Sequence, residues 1–433
     1  MYDSSRKRNK RWKTYDGWRV VETKTESSEL FFVKKGLDMN RAKNVHHFKV
    51  TVYKDFEENN TKFKGSSTTN IHPSMDNDEI EKAINDAAFA SQFVKNKFYP
   101  LVKSHNSNQP IIESVFSKAP ISNYLSDLTA AIYKGDTYDK GCINSSELFL
   151  DKVYTRIITS EGIDVNWNGY KGELEFITNW KEDSEEIELY ENVKFADFKP
   201  EVLTEKVKEM LYRSQNKAIT TSTPSIKNTA VLLTGSPAEE LLNYYYSQSN
   251  AQQVYEQIST AKVNENVQGN DVKGDLVNLK LDPFLENSTE SRPYDASGFP
   301  LKTVSIFENG NLLRYWGDVR YSHYLNIEPT GHIGNLIFEG GSKSIEDMKQ
   351  EAYLELTDFS DFQLDPLTGD FAGEIRLGWY HNGDTIVSVS GGSISGNIKE
   401  VQKHMYLSKE LQYNNNFVGP KTMQFFDVAI AGV

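Results

Sequence analysis

The side chains able to do chemistry in this 433-residue sequence are few and poorly spaced for cooperation. It has eight histidines and one cysteine. His46 and His47 are neighbours in the alternating run "HHFKVTVYKDF", where a strand would point them to opposite faces, so they cannot grip one ion together. His323 and His332 flank a loop and are the best metal candidates that remain, with His381 or His404 as a third ligand. Hydrogen-bonded structural histidines account for the same pattern. Cys142, in "KGCINSS", has no recognisable protease context and reads as a small buried hydrophobe. As the sole cysteine it leaves no intrachain disulfide to form.

"VLLTGSPAEELLNYYYSQ", Val231 to Gln248, is more informative. A buried strand runs into a helix start: Ser236 lies three residues before Glu239, the spacing of a capping box, and Pro237 suits the first helical position. In that role Glu239 helps begin the helix. As a general base it would need a metal or an activated nucleophile beside it, and the sequence offers neither nearby. Tyr244, Tyr245, Tyr246 and Tyr255 read as core and interface surface. Three consecutive residues cannot share a helix face, so at least one of the first three should meet solvent or a partner. No Gly-x-Ser-x-Gly elbow, P-loop or dinucleotide fingerprint occurs, and "GGSISG" lies in a β-rich stretch with no helix to receive a phosphate.

A net charge of -13 repels nucleic acid, leaving the basic stretch Arg6 to Lys13 as the sole candidate patch; it reads as a solvated tail. No run approaches the roughly 20 apolar residues of a membrane span, and the start lacks the pattern of a secretory signal. The expectation is a cytoplasmic protein that binds neither membrane nor nucleic acid.

The elements that must position these residues suggest an α+β fold in three parts. An N-terminal α+β domain (1–105) holds alternating strands and a helix with Ile80, Ala83, Ile84 and Ala87 on one face. A middle β-rich domain (106–220) ends in a helix from Pro200, with Leu203, Val207, Met210 and Leu211 aligned. A large β-rich C-terminal domain (221–433) follows, interrupted by a helix from Ser344 to Ala352 with Ser344 and Asp347 at capping-box spacing. Asn168-Gly169, Asn309-Gly310 and Asn382-Gly383 each predict a tight hairpin turn. No tandem repeat is visible, which argues against a solenoid or propeller.

Four blocks, in order, carry a resemblance to a known family: "SRPYDASGFPLKTVSIFENGNLLRYWGDVRYSHYLNIEPTGHIGN", "DPLTGDFAGEIRLGWYHNGD", "GGSISGNIKEV" and "VGPKTMQFFDVAIAG". They resemble the TldD/PmbA proteins, also known as modulators of DNA gyrase. The resemblance implies the family's small N-terminal units, with the usual first helix missing or reduced to the basic tail, and its large β-rich C-terminal domain. TldD-like members are peptidases whose His-Glu-x-x-x-His motif and C-terminal cysteine hold zinc; PmbA-like (TldE-like) members lack those ligands and pair with the first type. Aligned on its strand, this sequence has Thr234 at the first histidine, Gly235 at the glutamate and Glu239 at the second histidine. The stretch facing the cysteine, Leu407 to Pro420, contains neither Cys nor His. Ala238, Leu241 and Leu242 fit the PmbA-like pattern.

The implied protein is a non-catalytic subunit of a TldD/TldE-type metallopeptidase assembly, inactive alone and without a cofactor of its own. Zinc belongs to a TldD-like partner, the alternative partner being a second copy in a dimer. Peptides or unfolded proteins are the implied substrate, with His323, Thr330, Gly331, His332 and Asp370 as peptide-contact candidates. Two alternatives remain open: a divergent zinc metallopeptidase whose relocated site uses His323, His332 and an acid, and a homodimeric peptide-binding protein without a peptidase partner.

Overall fold

The computed structural model describes residues 15–183, 185–226, 229–426 and 428–433; the basic stretch Arg6 to Lys13 lies outside them. β1 (Gly17–Val33), whose buried positions include Glu22, Ser27 and Glu29, and β2 (Gly36–Glu58), which buries Val50 and Val52, are joined by a turn in which Lys34 takes a φ of 53°. β3 (Thr61–Ile71) leads to α1 (Asn77–Ser91), which starts on a capping box between Asp76 and Glu79. Then come β4 (Asn96–Lys97), α2 (Leu125–Lys134), β5 (Gly141–Thr159), β6 (Asp164–Glu182), β7 (Glu185–Phe195) and α3 (Pro200–Ala218).

These seven strands form one antiparallel sheet in the order β4-β3-β2-β1-β5-β6-β7. β1 pairs with β5 from Arg19 to Val33, so the N-terminal and middle units of the sequence share a single sheet. α2 and α3 cover it, burying Leu128, Ile132, Leu203, Val207, Met210 and Leu211 against Leu148, Leu150, Leu174 and Phe176. Asn168-Gly169 is not a turn: it lies inside β6, opposite Tyr154 and Val153. The chain reverses instead between Thr159 and Asp164, where Gly162 has a φ of 87°. Cross-strand pairing along the whole of β5 outweighs the local turn preference at 168 and 169.

The C-terminal region supplies β8 (Thr221–Ser222), β9 (Ala230–Thr234), α4 (Ser236–Gln248), α5 (Ala251–Tyr255), β10 (Leu279–Leu281), β11 (Val304–Glu308), β12 (Asn311–Leu312), α6 (Val319–Leu325) and β13 (Leu336–Phe338). After α7 (Ile345–Met348) come β14 (Tyr353–Leu364), β15 (Asp370–His381), β16 (Ile386–Ser390), β17 (Ser393–Asn397) and α8 (Ile398–Val401). β18 (Tyr406–Leu407), β19 (Leu411–Asn414), β20 (Phe417–Pro420), β21 (Thr422–Phe425) and β22 (Ala429–Ala431) complete it. One sheet has the order β12-β11-β10-β13-β20-β19; the other runs β18-β21-β9-β14-β15-β16-β8, with β17 and β22 attached through β15. α4 shares one apolar core with both, its Leu241, Leu242 and Tyr245 lying among Leu279, Phe307, Phe338, Leu356 and Met423. This is the α+β, largely β-rich architecture expected.

Asn309-Gly310 makes the expected two-residue turn, with φ of 48° and 73°. Asn382-Gly383 does not: four residues separate β15 from β16, and the Asn382 carboxamide oxygen accepts from the N–H groups of Asp384 and Thr385, each at 3.0 Å. α7 keeps its Ser344/Asp347 capping box but ends at Met348 rather than Ala352. Of the three consecutive tyrosines, Tyr246 alone keeps part of its surface in solvent, as expected of at least one. Tyr244 and Tyr245 are buried, and Tyr246 stacks on Trp316 at 4.2 Å while its hydroxyl donates to the Ile333 carbonyl.

Because Leu211 is fully buried between helix and sheet, Leu211→Ala should lower the unfolding free energy by about 2–5 kcal/mol, whereas Val202→Ala on the exposed face of α3 should cost less than about 0.5 kcal/mol. Denaturant titration of both variants checks this.

Candidate functional site

β9 passes between β21 and β14 and delivers Thr234 to the end of the sheet. Thr234 faces Thr422 directly across the β9–β21 ladder, their hydroxyl oxygens 3.0 Å apart. Its own hydroxyl donates to Glu355 Oε1 at 2.9 Å, and Lys349 Nζ donates to the other oxygen, Oε2, at 2.6 Å. Glu355 is only 7% exposed, so its charge is out of water and has to be met by these donors. Tyr353, Leu354, Glu355, Leu356 and Thr357 are all buried, which makes a carboxylate in the middle of that run the conspicuous residue.

At Gly235 the backbone takes φ 81° and ψ -135°, a conformation essentially confined to glycine. It is the N-cap of α4, and its carbonyl accepts from the N–H groups of Ala238 and Glu239. The capping box expected from Ser236 and Glu239 is therefore absent. Ser236 is already helical and exposed, Pro237 follows it in the first turn where a missing N–H is harmless, and no side chain caps the helix. Glu239 turns away instead to accept from Asn414 Nδ2 at 2.8 Å. Burial raises the Glu239 pKa, an effect that Glu240 reinforces and the Asn414 bond opposes.

The stretch Leu407 to Pro420 reaches this place. β19 brings Gln412, whose Nε2 donates to the Gly235 carbonyl at 3.0 Å, alongside Asn414. Around them opens a cleft of about 770 Å³ between α3, the edge strand β7, β14–β15 and β19, with Arg213, Trp379 and Tyr413 on its walls. Its charges answer one another. Arg213 lies 3.3 Å from Asp358 and 3.6 Å from Glu209, and Lys206 sits 3.3 Å from Glu191. Burial alone would raise the Glu209 pKa, but Lys206, Arg213 and Lys421 more than reverse it.

As a cradle for a divalent zinc ion this donor set does not fit. A hydroxyl committed to a carboxylate, a glycine and a carboxylate tied to a carboxamide supply no imidazole or thiolate, and three convergent protein ligands are the minimum for a catalytic site. Among the described residues no group of three or more His, Cys, Asp or Glu side chains is arranged to hold a metal.

The other sequence-derived candidates lie elsewhere: Thr330, Gly331 and His332 are consecutive in one loop, His323 is on α6 and Asp370 on β15. His323 is exposed on α6, with its ring 6.4 Å from that of Phe98. His332 packs its ring edge-on to Trp316 at 5.4 Å, and burial, followed by Arg292, lowers its pKa and favours the neutral ring. Thr330 is buried, accepting from the Gly317 N–H at 3.0 Å. Gly331 has a φ of 74° and no room for a side chain, since a Cβ would fall 2.4 Å from Leu301. These two residues shape a turn. Asp370 begins β15, at the opposite end of that strand from Trp379, which pairs with Glu355; Asn397 and Thr368 hold its pKa down. His381 packs beside Tyr353 and His404 stacks on Phe426, so the relocated His323–His332 metal set is not assembled. The residues that sequence reading missed are Glu355, Lys349, Thr422, Gln412 and Asn414. The acid embedded in "YLELT" was the available signal.

Fold and site together define a class of protein: a chain with the fold of TldE. The TldE structure from Thermococcus kodakarensis superposes with a TM-score of 0.79 at 16% identity, covering 100% of both chains. A candidate modulator of a DNA gyrase from Thermotoga maritima gives 0.76 at 16% identity, covering 96% of each. In sequence, residues 226–432 match the PmbA/TldA metallopeptidase C-terminal domain. The Escherichia coli O157:H7 metalloprotease PmbA is 27% identical over 143 residues, 32% of this chain and 32% of that protein. Protein MJ0231 of Methanocaldococcus jannaschii is 24% identical over 167 residues, 36% of this chain and 40% of that protein. The sequence matches thus span well under half the length of these relatives. The sequence similarity to the TldD/PmbA family is carried by residues 226–432, the part of the chain that matches that C-terminal domain.

Two outcomes follow from the network. Thr234→Val strips a donor from a buried carboxylate and should cost about 1–3 kcal/mol, while Thr234→Ser should cost much less; chemical unfolding measures both. A carboxyl whose pKa is raised on folding favours the folded state at acid pH and loses that contribution as pH climbs through the raised value. Glu239→Gln should therefore gain stability relative to the parent as pH rises from about 4 to about 8. A difference independent of pH would show that the Glu239 charge is not the cause.

Proposed function

We propose that this chain is the non-catalytic, TldE-like half of a cytoplasmic metallopeptidase assembly, presenting an extended peptide or unfolded segment to a zinc-bearing TldD-like subunit. The observation that carries the reading is the hydrogen-bonded set Thr234, Glu355, Lys349 and Thr422, which fills with internal partners the place where the family's peptidases put metal ligands. Both oxygens of the Glu355 carboxylate are engaged, by the Thr234 hydroxyl and by Lys349, and Glu239, tied to Asn414, has no nucleophile to activate. The cleft beside them supports a binding role, since its walls offer Trp379 and Tyr413 and the edge strands β7 and β19. Strand edges are where an extended chain can add its own backbone hydrogen bonds. Among the described residues no helix is long and apolar enough to cross a membrane, consistent with a chain that meets its substrate in water.

The test is a peptidase assay on unstructured peptides with this chain alone, with a zinc-bearing family member alone, and with both. Cleavage should need the mixture, be abolished by chelator and survive Glu239→Ala in this chain. Cleavage by this chain alone, after metal-free purification and zinc addition, would contradict the proposal.

A further inference from the structure

Asn168-Gly169, Asn309-Gly310 and Asn382-Gly383 are the three Asn-Gly pairs of the chain, and each carries the same latent reaction. The backbone nitrogen of the glycine can add to the carboxamide carbon before it, and a residue without a Cβ leaves that approach unhindered. Which pair reacts is set by whether that nitrogen is free and whether the backbone around it can turn. The structure separates the three on both counts.

In β6, Asn168 and Gly169 lie opposite Tyr154 and Val153, so ring closure there would first have to break the extended ladder to β5. At the β11–β12 turn the Gly310 N–H donates to the Val277 carbonyl at 2.9 Å, and the Asn309 N–H donates to Asn278 Oδ1 at 2.8 Å. That turn is also crowded, since a Cβ on Gly310 would fall 2.7 Å from Asn266 Oδ1. The third pair has none of these restraints. It lies in the exposed loop between β15 and β16, where Gly383 has a φ of 105° and nothing within 4 Å of the place a Cβ would take. The Gly383 N–H makes no hydrogen bond among the described residues. The Asn382 carboxamide is meanwhile fixed and polarised, its oxygen accepting from the N–H groups of Asp384 and Thr385, each at 3.0 Å. Those donors face the atom on which negative charge develops when a nucleophile adds to the carboxamide carbon, the arrangement that stabilises an oxyanion.

We propose that Asn382 is a site of spontaneous modification, converted through a cyclic imide to aspartate and isoaspartate in the folded protein. The Gly383 nitrogen gives its proton to solvent hydroxide and bonds to Asn382 Cγ; the bond from Cγ to Nδ2 breaks and ammonia leaves. Water then opens the imide at either carbonyl. One product carries a carboxylate on the side chain, and the other an isoaspartyl linkage that adds a carbon to the main chain. The loop closes the ladder in which His381 pairs with Ile386 and Trp379 with Ser388, and Trp379 and Ile386 both line the cleft beside Thr234. Lengthening the main chain between β15 and β16 disturbs their register, so the modified chain differs from its parent at that wall.

The full chain is held at mildly alkaline pH, both folded and in denaturant, and the three pairs are followed by peptide mapping with mass spectrometry. In denaturant all three should react at comparable rates. In the folded chain Asn382 should keep a rate close to its unfolded one, while Asn168 and Asn309 are slowed at least about tenfold, because each must wait for local opening. The modified peptide should elute as two isomers of one mass, form faster as pH rises, and be missing from Asn382→Gln, whose longer side chain closes the corresponding ring far more slowly. Equal rates at the three pairs in the folded chain, protection of Asn382 to the same degree as the other two, or earlier modification at another asparagine would each overturn the inference.

Discussion

The interaction on which the rest depends is the buried carboxylate of Glu355, held between the Thr234 hydroxyl and the Lys349 ammonium. A carboxylate removed from water costs several kcal/mol unless it is met by donors, and breaking one side of such a set leaves the charge uncompensated. Position 234 is thereby committed to a donor. A histidine there would have to displace Thr422 and find its own second partner, and a metal would have to compete with Lys349 for Glu355. The atoms at this sheet end are engaged with one another by the hydrogen bonds that close it.

Backbone geometry makes the same choice a second time. Gly235 reaches a φ of 81° so that β9 can turn at once into α4, and the first helical residue is Ser236. A glutamate at 235 would be strained by that dihedral whatever space it had. β19 closes the arrangement from the other sheet, through Gln412 on the Gly235 carbonyl and Asn414 on Glu239. What remains is a recess whose charged side chains pair with one another.

Much of this was legible in the sequence because it rests on local signals. The aligned Leu203, Val207, Met210 and Leu211 gave α3, and Asn309-Gly310 gave a hairpin, since in each case short-range preference and tertiary packing agree. Where they disagree, packing won: Asn168-Gly169 was drawn into β6 by partners on β5, and the carboxylate of Glu239 found Asn414, 175 residues away, in place of the helix start. α2 and α6 were not legible. α2 is ten residues long and lacks a side-chain cap; α6, though capped by Asp318, is seven residues long, its sequence dominated by aromatic and polar types. Thr234, Gly235 and Glu239 could be singled out from the sequence, but Glu355, Lys349 and Thr422 could not, because their meeting depends on strand order: β9 lies between β14 and β21.

The central claim is that the end of β9 is closed by hydrogen bonds and not by a metal. The most direct measurement is anomalous X-ray scattering at the zinc absorption edge from crystals of this chain equilibrated with zinc. The account predicts no anomalous peak within bonding distance of Thr234, Glu239 or Glu355, with the Thr234–Glu355 hydrogen bond intact. A peak held there by three protein atoms would contradict it.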